Sequence, residues 1–448
     1  MARNPFERDQ RREEISIAKE SRESVNFVRR ILDEVISPSA YVVLRFLDRT
    51  NRIKSYFHKS KTYEFAPFRD GQNIALVAIW EYEVLRKDVK ELLKELKRRD
   101  FYICLVNTGK IKTLEFSDLA SVYIERFNYG RDFGSYKEGI QFLQKTGRLS
   151  SANKLVIIND SVYFLQDYIG STLDEIQADS SDLLGLTENF ELNHHVGSFF
   201  VAFSSKILNG KPFKRFWKRF KVSDLRTHNI YFGEMMLTKK VGAKIAPEKI
   251  RVLWSISSMA AQIKSPESLN QAIMLANRGH ISTWKKVSWQ LIAKSFLDER
   301  YIFISDFQKR TNLSLSNGTN NDHDSINSKL ILGYGDLMNA MKDASGREVT
   351  PDSEYELFMK AKGIWLNIVG SGSQIHQNNN LFVSHGMPLV KLDLLYRGAF
   401  SYEDLEILLD KIKNSEDAQI LRSMLYRRIY GLDYLSGWRR AAFRKGMI

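Results

Sequence analysis

The chain has 448 residues, 43% hydrophobic and 27% charged, with 67 Lys and Arg against 53 Asp and Glu for a formal charge of +14. Those proportions describe a globular chain of two or three domains and exclude an intrinsically disordered one. The single cysteine, Cys104, sits in an apolar run and excludes an intrachain disulfide framework.

The opening residues, MARNPFERDQRREE, lack the apolar core of a signal peptide, and no run of about 18 apolar residues follows. The chain is therefore expected in the cytoplasm, free or attached to a membrane surface. In residues 1 to about 40, Val25, Val28, Ile31, Leu32, Val35 and Ile36 recur at helical spacing, and Ser37-Pro38 is expected to end that helix. From residue 73 the texture changes. Asn73–Trp80 is a continuous apolar run of strand length, Lys87–Arg99 an amphipathic helix, and Tyr102–Val106, Ser121–Phe127 and Leu155–Ile158 further strands. A helix is predicted over Ser135–Leu143. Strands continuous in apolar residues and alternating with helices predict a mainly parallel sheet covered on both faces. After Asp182–Thr187, the run Val196–Phe203 reads as a later strand, and Lys211–Val222 and Gly233–Val241 read as helices. Beyond residue 260 the pattern is mainly helical, with two polar stretches, Ser314–Ser328 and Gly370–Asn380, expected as exposed loops. The chain thus divides into an N-terminal helical segment (1–72), an α/β core (73–260) and a mainly helical C-terminal region (261–448).

Three polar clusters fall where the strands of the core end, which is where open α/β sheets bind ligands. The first, Arg126 to Tyr136, contains Asn128, Arg131, Asp132 and two glycines that let backbone approach a ligand. An ordinary strand–helix turn with Asp132 as its cap would look the same. The second is Asn159-Asp160-Ser161 after an apolar strand. A carboxylate there is placed to hold a divalent cation bridging a diphosphate, or simply to start a turn. The third gathers Glu188, Glu191, His194 and His195 before a strand. No third ligand at diagnostic spacing supports zinc, and a general base with substrate-binding groups is the more economical reading, with a solvated loop as the plain one.

The order of these pieces resembles the rhamnan synthesis protein F family. The pieces are Asn128–Tyr136, Asn159–Tyr163, Gly185–Glu188, His194–Phe200, Phe216-Trp217 and Gly233–Thr238, and with the strands before them the resemblance spans roughly residues 73 to 245, over a third of the chain. Asn277–His280 with Trp284, and His385–Leu395, are similar to segments of the family's C-terminal part, although about 100 residues separate them here. The resemblance implies a GT-A-like glycosyltransferase core, a mostly parallel sheet flanked by helices, acting in cell-wall or O-antigen polysaccharide assembly. The acidic motif departs from the broad GT-A pattern in carrying one carboxylate.

On that reading the donor is a nucleotide-diphosphate sugar, possessing a leaving group that needs neutralisation by a metal or by basic groups. Asp160 and Ser161 are assigned to a divalent cation, Mg2+ or Mn2+. Asn128, Arg131, Asp132, Tyr136, Asn159 and His280 are assigned to the donor. Glu188 is the first choice of base, with His195 and Glu191 behind it, in an inverting transfer. His194 and Glu234 are assigned to the acceptor, a glycan or lipid-linked glycan. The basic, aromatic tail Met424–Ile448 suits an anionic membrane surface, or else docks as a final helix. The rival readings are a non-catalytic scaffold of the polysaccharide machinery and a basic nucleic-acid-binding protein. No nucleic-acid-binding motif accompanies the charge, so nucleic acid is not the expected partner.

Overall fold

The computed structural model describes residues 38–112, 115–190, 193–276, 288–289, 291–293, 332–345, 350–370, 372–397, 399–426, 435–444 and 446–447. The described residues open on a helical stretch, residues 38–57, here α1, and the helix expected over residues 1 to about 40 falls almost wholly outside the described residues.

The core sheet is built on β1 (Lys61–Glu64), β2 (Ile74–Ile79), β3 (Tyr102–Asn107), β4 (Val122–Glu125), β5 (Lys154–Asn159), β7 (Leu183–Asn189), β9 (Phe200–Ser204) and β10 (Ile250–Trp254), in the order β1-β4-β3-β2-β5-β9-β7-β10. β2 pairs in parallel with β3 and β5, β3 with β4, and β7 with β10. β9 is inserted antiparallel between β5 and β7. Six strands therefore point the same way, and their carboxyl ends share one edge. The α/β architecture expected from the sequence, a mostly parallel sheet flanked by helices, is the architecture found.

Alternation along the strands decides which helix covers which face. Ala75, Val77 and Ile79 of β2 face α2 (Lys87–Arg98), whose Val89, Leu92, Leu93 and Leu96 form its buried stripe. Ile74, Leu76 and Ala78 face α3 (Arg131–Lys145) and the aromatic helix Lys211–Arg219, which inserts Phe213, Phe216 and Trp217. Two-sided burial explains why these strands read as unbroken apolar runs.

Three local expectations change. The run Val196–Phe203 is split into β8 (His195–Val196) and β9, both paired with β7. Glu188 opposes Val196 but Gly185 opposes Val201, so two extra residues bulge out around Gly197. Gly233–Val241 is not an ordinary helix: the chain winds in wide π-type turns over Asn229–Met235 and Thr238–Gly242. The polar stretch Gly370–Asn380 is not an exposed loop. Gln374, Asn378 and Asn379 are fully buried, and the NH2 groups of their amides find acceptors inside. Gln374 donates to the Val369 carbonyl, Asn378 to Gln374, Asn379 to the Leu389 carbonyl and Asn380 to the Asp404 carbonyl. The other polar stretch, Ser314–Ser328, lies outside the described residues.

The C-terminal region is mainly helical, with helices Ile256–Gln262, Pro266–Leu275, Tyr334–Ser345, Pro351–Gly370, Tyr402–Leu409 and Ser415–Tyr426. A two-stranded ribbon stitches it to the core: β6 (Val162–Phe164), just after β5, pairs with β11 (Leu389–Lys391). That ribbon sets residues 389–397 beside the carboxyl end of β5. Among the described residues no helix is long and apolar enough to cross a membrane.

Candidate active site

The turn after β5 is the centre of the site. Asn159 donates from Nδ2 to Asp132 Oδ2 (2.9 Å), and its Oδ1 accepts the Ser161 hydroxyl (2.6 Å) and N–H (3.1 Å). Ser161 Oγ in turn accepts from Lys391 Nζ (2.7 Å), whose ammonium also lies 4.9 Å from the Phe199 ring centroid. Asp160 is fixed by Trp80, whose backbone N–H donates to Oδ2 (2.7 Å), and by the partly buried Arg86, which donates to its carbonyl (3.1 Å). Asp132 opens α3 after Gly130, at φ +88°, and Arg131, at φ +52°. Two successive left-handed residues swing the chain sharply at the end of β4 and set Asp132 against β5.

Carboxylates here are pressed towards their neutral form. Burial, with Asp160 as a neighbour, raises the Asp132 pKa to about 6. Burial also raises Asp160, against the pull of Arg86. Glu81, at the end of β2, is raised to about 7 by burial, against the same Arg86 and with Asp160 adding to the rise.

Facing them is a bay of cations. Asp393, two residues after Lys391, accepts from Arg226 (3.3 Å), lies 3.8 Å from Arg397 and 3.7 Å from His376 Nε2. Burial works against its ionisation, but Lys391, His376 and Arg226 hold its pKa well below the usual carboxylate value. Arg397 shows the crowding: burial, then Arg226, with Arg131 adding, lower its pKa to about 10 despite Asp393. His376 is lowered by burial, and its Nδ1 shares a hydrogen bond with Ser373 Oγ (2.7 Å). Lys391, Arg226, Arg397 and Arg131 are thus gathered against their mutual repulsion, an arrangement that a polyanion relieves.

Glu188 ends β7, the same number of residues past the shared Ile157–Val201–Gly185 register as Asp160 is on β5. The two strands are separated by β9, so they run about 10 Å apart. Glu188 is nearly buried; Oε1 accepts the Ile256 N–H (2.9 Å) and Oε2 contacts His194 Nε2 (2.9 Å), whose side chain is half exposed. Those two partners leave a carboxylate fixed in orientation and reachable from the His194 side. Glu234 accepts the Ser198 N–H (2.9 Å) and adds to the negative field at Asp132.

The structure therefore brings Asp132, Asn159, Asp160 and Ser161 together, with Glu234 and Arg131 close by. It places Glu188 and His194 as a pair at the end of β7, one strand beyond β9. Tyr136 is fully buried and donates to the Ser198 carbonyl (3.0 Å), supporting the site from beneath. His195 is buried on β8, with Nδ1 on the Asn193 carbonyl (2.8 Å). Asn128 is exposed on the approach to α3. Glu191 and His280 lie outside the described residues. Lys391, Asp393, Arg226, Arg397 and His376 were not singled out in the sequence. Lys391 and Asp393 do lie inside the His385–Leu395 motif, which was the available signal.

Two carboxylates, Asp132 and Asp160, are the donors a divalent cation would find. Among the described residues no group of three or more His, Cys, Asp or Glu is placed to hold a metal. Mg2+ is commonly held by one or two carboxylates plus substrate phosphates and water, so the donor set fits a cation that arrives with a diphosphate. The Ser161 hydroxyl is engaged by Asn159 and Lys391, which makes it an anchor for the lysine.

Residues 102–244 match the family described as rhamnan synthesis protein F. The resemblance read from the motifs is thereby shown over that segment, which contains every sequence-assigned site residue except His280. The chain is also similar to an uncharacterized protein of Sinorhizobium fredii, 27% identical over 192 residues, 40% of this chain and 50% of that protein. The virulence protein VirA of Vibrio anguillarum is 30% identical over 151 residues, 33% of this chain and 47% of that protein. The chain spans about half the length of these curated relatives. Among solved structures, a glycosyltransferase of Streptococcus pneumoniae, GlyE, overlaps 40% of this chain and 41% of its own, at 12% identity and a TM-score of 0.22, too low to carry an argument.

Proposed function

We propose that this chain is a nucleotide-sugar-dependent glycosyltransferase that extends a bacterial surface polysaccharide. The observation that carries the reading is the bay of Lys391, Arg226, Arg397 and Arg131 opposite Asp132 and Asn159–Ser161, at the shared carboxyl edge of the sheet. A sugar diphosphate presents the polyanion that this bay suits. Departure of the nucleoside diphosphate builds charge on its oxygens, and preorganised cations stabilise that charge without having to reorganise. Asp160 and Asp132 would hold Mg2+ or Mn2+ brought with the donor, and the cation would share that neutralisation. Asn159 fixes both Asp132 and Ser161, and Ser161 fixes Lys391, so the turn after β5 connects the acidic and basic sides of the bay.

Glu188 is the base in this proposal. Its carboxylate is aimed by Ile256 N–H and His194, and it takes the proton from the acceptor hydroxyl in an inverting transfer. His194 and Glu234 are assigned to the acceptor, Asn128 and His280 to the donor, and Glu191 and His195 are the alternative bases. Rhamnose as the transferred sugar and a lipid-linked glycan as the acceptor follow from the family resemblance.

The test is release of nucleoside diphosphate from a panel of nucleotide sugars, with and without Mg2+ or Mn2+, in the presence of lipid-linked glycan extracts. Glu188→Gln is expected to lower turnover by about 10²-fold while donor binding is kept. Equal turnover by the variant removes Glu188 as the base. Absence of release from every donor under both metal conditions removes the transferase reading.

A further inference from the structure

Helix α1 is turned inside out. The side it sets against the molecule carries Ala40, fully buried, and Tyr41, Leu44, Asp48, Asn51 and Ser55, all partly covered. Its anchoring contacts are polar. Asp48 Oδ1 accepts from Ser223 Oγ (3.0 Å) and from the Asp224 N–H (2.6 Å), and Asn51 Nδ2 donates to Asp224 Oδ2 (2.8 Å). On the opposite side Val42, Phe46, Ile53 and Phe57 follow one another at intervals of four, seven and four, which places them in one stripe. Phe46 is 69% exposed and Phe57 82%, and Tyr56 beside them is also 82% exposed. Arg45, Arg49 and Arg52 flank the stripe on one side and Lys54 on the other, all exposed. Among its described residues the only acid is Asp48, which faces inward.

We infer that α1 is a membrane-contact helix that seats this protein on an anionic bilayer. A stripe of aromatic and branched side chains bordered by cations, with no outward acid, complements apolar chains lying beneath negative headgroups. It complements a second copy poorly, because a two-fold pairing of α1 sets its arginines beside their own symmetry mates. The tail is the less suitable contact. Its helix Gly437–Arg444 is docked, with Ala442 fully buried and the Phe443 ring 4.9 Å from the Arg397 guanidinium. The seat also has a use. Asp224, held by α1, accepts the Gly130 N–H (2.6 Å) immediately before Arg131 and Asp132, so the membrane contact lies next to the entrance of the bay.

The test is co-sedimentation of the full-length chain with vesicles of phosphatidylcholine alone and of phosphatidylcholine with phosphatidylglycerol, at low and high salt. The wild type is expected to sediment with the anionic vesicles, to be released by salt, and to ignore the neutral ones. Phe46→Ser with Phe57→Ser is expected to weaken binding at least about tenfold with an unchanged melting temperature. Arg439→Glu is expected to leave binding intact. Failure of the wild type to bind anionic vesicles, or undiminished binding by the double variant, overturns the inference. So does a lower melting temperature in the double variant, which would mean that the chain itself covers the stripe, or a change from dimer to monomer by light scattering, which would mean that a second copy does. None of these readouts depends on transferase activity.

Discussion

Asp132 shows how the site works against the stability of its own fold. Burial and the nearby Asp160 carboxylate raise its pKa from 3.8 to about 6. Between those values the folded chain binds this proton more tightly than the unfolded chain does. The group's contribution to stability therefore falls as pH rises through the window, and its penalty is complete above about 6. Asp132→Asn keeps an acceptor for Asn159 and removes the charge. Thermal melts should show the variant more stable at pH 7.5 by about 1–3 kcal/mol, with the gain gone below about pH 4. Loss of stability at pH 7.5 would mean that the carboxylate is held favourably by the bay, contrary to the direction of its shift. His194 offers a milder check. Its contact with Glu188 orients the base, so His194→Ala should lower turnover less than Glu188→Gln does and leave nucleotide binding unchanged in the same assays.

Elements differ in how openly the sequence declares them. β2, β3 and β5 were legible to within a residue or two, because two-sided burial demands unbroken apolar runs, and α2 because its stripe has a clean helical period. What was hidden depended on partners remote in sequence. The bulge that separates β8 from β9 arises from pairing with β7, and the buried amides of 374–380 look like a loop until their carbonyl partners are known. The basic half of the site was hidden for the same reason: Lys391 meets Ser161 across 230 positions through the β6–β11 ribbon. The start of α3 is the element on which both halves depend. A Cβ on Gly130 would lie 1.8 Å from Val222 Cγ1, at a φ of +88° that side chains avoid. Gly130→Ala should therefore destabilise the chain by about 2–4 kcal/mol in denaturant titrations and weaken nucleotide binding. Gly147 has a φ of +75° and nothing within 4 Å of its added Cβ, so Gly147→Ala should cost only about 1 kcal/mol. Equal effects of the two substitutions would contradict the role given to the Gly130 turn.

At the scale of the whole molecule, the C-terminal region completes the site rather than trailing behind it. The family match ends at residue 244, yet Lys391, Asp393 and Arg397 come from beyond that limit and meet Arg131, Ser161 and Arg226 within it. Excess positive charge was visible from composition, and its concentration beside a strand-end carboxylate was not, because the cations come from three separate segments. The central claim is that this bay holds a nucleoside diphosphate, and calorimetric titration of the full-length chain with nucleoside diphosphates and their sugars, with and without Mg2+, tests it most directly. At least one nucleotide should bind the wild type, and Lys391→Met should weaken that binding by about 10- to 100-fold, the scale of one or two charge-assisted contacts, with the melting temperature retained. Binding of no nucleotide to the wild type, or equal binding to the folded Lys391→Met chain, would contradict the account.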